Sequence, residues 1–207
     1  MSYRLRGLFL GAAVLLAASG CGNPQTGAED PDSQQSSTLS SKTVIRQVDN
    51  NGVPLPFLTK FPNRWNQNND GTPYEPCTSV TPAVAQQSHA DSASIKDVSI
   101  ADMQTARGCE WNLTSPDIGI LSQYVGDIPG SMSEYRNLHA ETSWSANVNI
   151  SERTVMVSTD ADHQCSTYVA SGSSLVVTSI VSTSHALPEI CQLAIDFTRA
   201  TIDKMPP

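Results

Sequence analysis

Five cysteines stand at positions 21, 77, 109, 165 and 191 of this 207-residue chain, and the first decides how the other four are read. Ahead of it, Arg4 and Arg6 form a short basic head and residues 8–18 an apolar run. Ser19 and Gly20 then lead straight into Cys21. A positive head, a short apolar core and a small-residue exit make a secretory leader. The apolar run is about half the roughly 20 residues that span a bilayer, which argues against a permanent transmembrane helix. A cysteine at the exit predicts a lipoprotein, in which residues 1–20 are removed and Cys21 becomes the acylated N-terminus. Each buried acyl methylene then contributes about 0.8 kcal/mol to membrane binding. Ala18 stands where a lipobox usually carries leucine. The other reading is an ordinary cleaved leader, with Cys21 a bystander or a disulfide partner. Cysteine parity favours acylation, because withdrawing Cys21 leaves an even number. Export predicts disulfides among Cys77, Cys109, Cys165 and Cys191. Four cysteines allow three pairings, and proximity in sequence favours Cys77–Cys109 and Cys165–Cys191. Zinc is the poorer alternative, because no C-x-x-C pair is present and no histidine lies at ligand spacing from two cysteines.

Charge narrows the partners. The chain carries 12 Lys+Arg against 20 Asp+Glu; loss of Arg4 and Arg6 with the leader takes the net charge from −8 to −10. Nucleic acid is excluded as a partner, since phosphates demand clustered Lys and Arg. Electrostatic adhesion to anionic lipid is disfavoured too, which leaves the acyl anchor to hold the protein at a membrane.

Residues 22–42 contain one leucine and no aromatic residue, too little apolar area to offset the entropy of ordering, and are expected to be a disordered spacer. Residues 43–73 are expected to form an extended approach segment, with a short strand over 43–48, a Pro-rich stretch over 53–57 and a loop over 68–73. The folded domain is placed at residues 74–207. Thr81-Pro82 predicts a short helix to about Ser88, with Thr81 as N-cap and Pro82 at the first helical position. Cys109, Trp111 and Leu113 alternate onto one face of a strand, and a second strand near residues 118–125 returns antiparallel. A helical turn is possible over residues 132–139. Residues 154–158, 165–170 and 175–181 are β-branched runs, the last two joined as a hairpin by Ala170-Ser171-Gly172-Ser173. Pro188 opens the strongest helix, whose buried stripe is Ile190, Leu193, Ala194, Phe197 and Thr201. The fold class is α+β: an antiparallel sheet covered on one face by a C-terminal helix, with a short N-terminal helix and two disulfides.

Three blocks resemble a known family: Arg64-Trp65-Asn66, then Asp70-Gly71-Thr72-Pro73-Tyr74-Glu75-Pro76-Cys77-Thr78, then Gly108-Cys109-Glu110-Trp111. Their order and spacing are similar to those of the domain of unknown function 3558 family, actinobacterial cell-envelope lipoproteins. Cys165 and a Cys191 on a final helix fit the same layout, and the resemblance covers residues 60–207. It implies an envelope location and a disulfide-bonded fold. It carries no reaction, so no catalytic residue follows from it.

The search for chemistry is negative. No G-x-S-x-G elbow occurs, the nearest being Gly130-Ser131-Met132-Ser133-Glu134. Neither a phosphate-cradling nor a dinucleotide-binding glycine motif is present, and no cofactor is implied. His89, His139, His163 and His185 lie in polar or turn-like contexts. Asp160-Ala161-Asp162-His163 gathers two carboxylates and an imidazole, yet lacks the glycine and distal glutamate of a calcium loop. Asn112-Leu113-Thr114 matches a glycosylation acceptor by chance. Trp111 is expected to pack on a disulfide. Trp65 and Tyr74 are the candidate binding surface, or else the latch of the approach segment.

These readings favour a non-catalytic binding or interaction module, held by its lipid on the extracytoplasmic face of the cell membrane and contacting an envelope component or a protein partner. The alternatives are an envelope enzyme with a dispersed polar site, or an accessory or regulatory subunit of a membrane complex. A deep pocket with convergent His and Asp would favour an enzyme. An apolar patch around Trp65 or Tyr74 would favour a protein partner. An enclosed apolar cavity would indicate a lipid or small-molecule carrier.

Overall fold

The β-branched runs of the last third supply the centre of the sheet. The computed structural model describes residues 44–114, 119–128, 130–160 and 163–207; the leader, Cys21 and the spacer at 22–42 lie outside the described residues. Eight antiparallel strands are described: β1 (Lys96–Asp97), β2 (Arg107–Asn112), β3 (Gly119–Asp127), β4 (Ser143–Trp144), β5 (Val148–Ile150), β6 (Arg153–Asp160), β7 (Gln164–Ser171) and β8 (Ser174–Ser182). Their order is β1-β2-β3-β8-β7-β6-β4, with β5 also on β6. The expected β7–β8 hairpin is present. Gly172 turns it at φ +58°, a conformation that costs glycine nothing. The short strands β1, β4 and β5 carry no two-residue alternation long enough to read from sequence.

One face of this sheet is apolar because alternate residues point the same way. Trp111, Leu121, Val125, Val157, Val169, Val176 and Ile180 are buried on it. Helix α4 (Leu187–Thr201) covers them with Ile190, Ala194 and Phe197. Burying a side chain such as Phe197 contributes about 1.5–3 kcal/mol. Leu193 is only half-buried, at the margin of the predicted stripe, and Thr198 is buried instead. The helix starts one residue before Pro188, where the Glu189 carboxylate accepts from the Ala186 N–H at 3.1 Å. A polar seam crosses the interface: Gln123 Nε2 donates to Thr178 and Thr201 hydroxyls at 2.9 and 3.1 Å.

The expected disulfides are formed. Cys77–Cys109 closes with Cα atoms 5.2 Å apart and Cys165–Cys191 with 5.0 Å. The first ties helix α1 (Pro76–Ser79) to β2, and the second ties α4 to β7. Helix α2 (Pro82–Gln87) has the predicted start, with Thr81 Oγ1 accepting from Val84 N. Helix α3 (Met132–Leu138) occupies the site of the anticipated helical turn.

The expectation for residues 43–48 is corrected. No strand forms over the described residues 44–48; Val48 makes a lone bridge to Pro54 across a tight turn. Pro54 and Pro56 have no N–H to continue a ladder, and Asp49 closes the turn by accepting from Asn51 N and Val53 N at 2.8 and 2.9 Å. The approach segment also belongs to the same compact unit as the sheet. Leu55, Arg64, Asn69 and Thr72 are all buried within it. No helix among the described residues is long and apolar enough to cross a membrane.

Candidate functional site

The residues carrying the family resemblance converge on one buried ionic cluster. Arg64, Glu75 and Arg107 are at most 2 % exposed. Charges so deeply buried must be paired and hydrogen-bonded, and these are. Arg64 grips Glu75 with two nitrogens, at 2.8 and 3.2 Å, and turns Nε to Asp97 at 2.9 Å. Arg107 Nη1 meets the same Glu75 oxygen at 3.0 Å. Its other donors reach the carbonyls of Asn69, Thr72 and Tyr74 at 2.9 Å each. Burial works against the Arg64 charge, but the bonds and charges of Glu75 and Asp97 outweigh it and raise its pKa. For Arg107 burial prevails, aided by the neighbouring Arg64, and its pKa falls below the usual arginine value. Every partner is a structural one, beside the Cys77–Cys109 bridge. The cluster locks residues 64–75 onto β2.

Trp65 and Tyr74 serve the same latch. The Trp65 ring is half-buried between Arg46 and Arg64, whose guanidinium carbons lie 4.1 and 4.6 Å from its centroid. Such stacking is worth about 0.5–2 kcal/mol per cation. Tyr74 is 3 % exposed and donates to Gln123 Oε1 at 2.7 Å. It is therefore removed from the candidate surface, because its phenol completes the polar seam under α4. Trp111 is buried in the core that holds Cys77 and Cys109, with its ring 6.0 Å from Phe197.

The sheet face opposite α4 has a different character. Residues paired in register lie side by side on one face. Glu110, Ser122, Ser179, Ser166 and Ser158 thus form one row across β2, β3, β8, β7 and β6. Lys96 ends the row on β1, paired with Glu110 at 2.8 Å, and Trp144 ends it on β4. The serines are linked: Ser166 donates to Ser179 at 3.1 Å, as does Gln164 Nε2 at 3.1 Å. Ser158 shares a 2.9 Å hydrogen bond with the Tyr168 hydroxyl. Tyr168 belongs to a cluster of rings, 5.1 Å from Trp144 and 5.7 Å from Tyr135, while Tyr135 stacks 4.4 Å from His139. Burial, with the nearby Tyr168 and Tyr135, pushes the Tyr124 phenol well above its ordinary pKa, and burial does the same for Tyr135. Both stay protonated at neutral pH.

At the margin of this cluster lies a depression of ≈ 300 Å³, its walls including Glu141, Ser143, Ser158, Asp160, Gln164 and Tyr168. Among the described residues, no histidine, cysteine, lysine or arginine lines it. Asp160 is the described carboxylate of the sequence-predicted 160–163 cluster; Ala161 and Asp162 lie outside the described residues. Among the described residues, no group of three or more His, Cys, Asp or Glu can hold a metal ion. His89 and His163 are exposed, and His139 and His185 are half-buried. The pocket is polar and open rather than an enclosed apolar cavity. Sequence reasoning missed both the ionic cluster and the serine row. Little in the sequence signals the second: β8 is apolar at both parities, with Leu175, Val177 and Val181 in phase with Ser179.

Comparison with curated proteins and with solved structures finds no match. The family model described as "Protein of unknown function (DUF3558)" matches residues 16–204. With more than half of its length matched, and with the family's blocks assembled into one buried latch, the chain belongs to the DUF3558 family.

Proposed function

We propose that the protein is a non-catalytic binding module of the cell envelope, tethered to the extracytoplasmic face of the membrane through acylated Cys21. The leader at residues 1–20 directs export, and residues 22–42 form a leash that lifts the folded unit from the lipid. The observation that carries the binding role is the depression beside the serine row. Hydroxyls, an amide and carboxylates converge there on a scaffold cross-linked twice. Function is argued from the site because a fold alone does not specify it. The actinobacterial setting rests on the family resemblance.

Labelled palmitate is expected to enter the mature protein in its host. Cys21→Ala is expected to abolish the label and release the protein from membranes into the medium. Full membrane retention of the unlabelled variant would refute the tether.

A further inference from the structure

We propose that the outer-face depression is a saccharide site, taking a neutral sugar residue of an oligosaccharide or polysaccharide; this rests on the binding-module reading and names its ligand. Chemistry excludes the competitors one at a time. An anionic group calls for arginine or lysine at its walls, and among the described residues none lines the depression, whereas Glu141 and Asp160 do. A lipid tail needs an apolar enclosure, and the walls here are chiefly hydroxyl, amide and carboxylate. A simple cation would draw on the carboxylates alone, yet Glu141 already faces His139 at 3.7 Å and both acids are exposed to water.

What remains matches a polyol. Serine hydroxyls donate and accept, the Gln164 amide does both, and an ionised carboxylate accepts from two adjacent hydroxyls at once. A sugar ring also has an apolar face of C–H groups, which needs an aromatic surface. Tyr168 supplies one, steadied by Trp144 at 5.1 Å and by its own bond to Ser158 at 2.9 Å. Because Ser158, Gln164 and Tyr168 are already hydrogen-bonded in the free protein, little of their side-chain entropy is lost on binding. A volume of ≈ 300 Å³ lies at the small end of ligand sites, room for about one ring, and the open rim lets a longer chain continue past it.

The test uses the full chain in a zwitterionic, sugar-free detergent. Maltotriose and chitotriose are titrated by tryptophan fluorescence and saturation-transfer NMR, pentalysine is the cationic comparator, and retention on insoluble chitin tests a polymer source. At least one sugar probe is expected to bind, a trisaccharide with a Kd of about 1 mM or tighter. Asp160→Ala, on an exposed carboxylate, is expected to weaken binding about tenfold without lowering Tm, and Tyr168→Ala to abolish it. Should Tyr168→Ala fail to fold, Tyr168→Phe replaces it; it keeps the ring, and a measurable weakening is expected. Retention on chitin without trisaccharide binding supports the proposal and assigns the ligand to a polymer. No binding by any sugar probe overturns it, as does binding unmoved by both variants or tighter binding of pentalysine. Palmitate at Cys21 with no sugar bound would sink the saccharide site and leave the tethered module standing; sugar bound without palmitate would do the reverse.

Discussion

Replacing Glu75 by glutamine removes one negative charge from between two buried guanidiniums and changes almost nothing in volume. Glu75 Oε2 accepts from Arg64 Nη1 and Arg107 Nη1 at 2.8 and 3.0 Å. Its Oε1 accepts from Arg64 Nη2 and Cys77 N at 3.2 and 3.3 Å. A glutamine can keep its oxygen at only one of these positions, so its NH2 must face N–H donors at the other. Removing one partner of a buried ion pair costs about 3–5 kcal/mol, because the remaining charge is stranded. Asp97 stays 2.9 Å from Arg64 Nε and offsets part of that, which places the expected loss near 3 kcal/mol. For a chain of this size each kcal/mol lowers Tm by about 2–4 °C, so a fall of roughly 6–12 °C is expected. Thermal unfolding followed by circular dichroism, with both disulfides intact, measures it. If stranded charge is the cause, Arg107→Met costs less in the Glu75→Gln background than alone. A Glu75→Gln shift under about 1 kcal/mol would show that the cluster is incidental.

Two further outcomes are expected. Breaking Cys77–Cys109 or Cys165–Cys191 by paired alanine substitution should lower stability by about 3.7 and about 3.5 kcal/mol, from separations of 32 and 26 residues in the chain-entropy relation; urea titrations showing no loss for either pair would contradict the stapling role. Asp49 ionises below the usual carboxylate range: burial pushes its pKa up, but the Thr78 hydroxyl at 2.7 Å and the Val53 and Asn51 N–H groups outweigh it. A depressed folded pKa stabilises above the unfolded value and loses that contribution as pH falls through the folded one. Asp49→Asn should therefore lower the urea midpoint at neutral pH, with the gap closing below about pH 4; a gap independent of pH would rule out this linkage.

Periodicity made the sheet and its covering helix legible. Val155 and Val157, Val176 and Ile180, and the stripe Ile190, Ala194, Phe197 each repeat at the interval of their element, and burial follows that repeat. The disulfide pairing was legible because each pair closes a short loop. The approach segment resisted the same treatment. Apart from Leu55 its buried residues are polar, and Arg64, Asn69 and Thr72 among them follow no period, so only the partners they meet in space, Glu75, Arg107 and Ser171, explain their burial. Between surface and latch, the place of Tyr74 was left open for the same reason, since Gln123 lies 49 residues away and no local pattern announces it.

That contrast bears on where the function resides. Arg64, Glu75 and Arg107 have their donors and acceptors engaged by one another and by backbone carbonyls. Arg64 and Glu75, from two of the blocks, together with Arg107, which immediately precedes the third, therefore specify how residues 64–75 close against β2. Ser122, Ser158, Ser166 and Ser179 and the rings of Tyr168, Trp144 and Tyr135 stand outside those blocks, on or beside the opposite face of the sheet. The proposed saccharide site thus draws on strands β6 and β7 and on residues 141–143, while Arg64 and Glu75, from the blocks that carry the family resemblance, secure the frame.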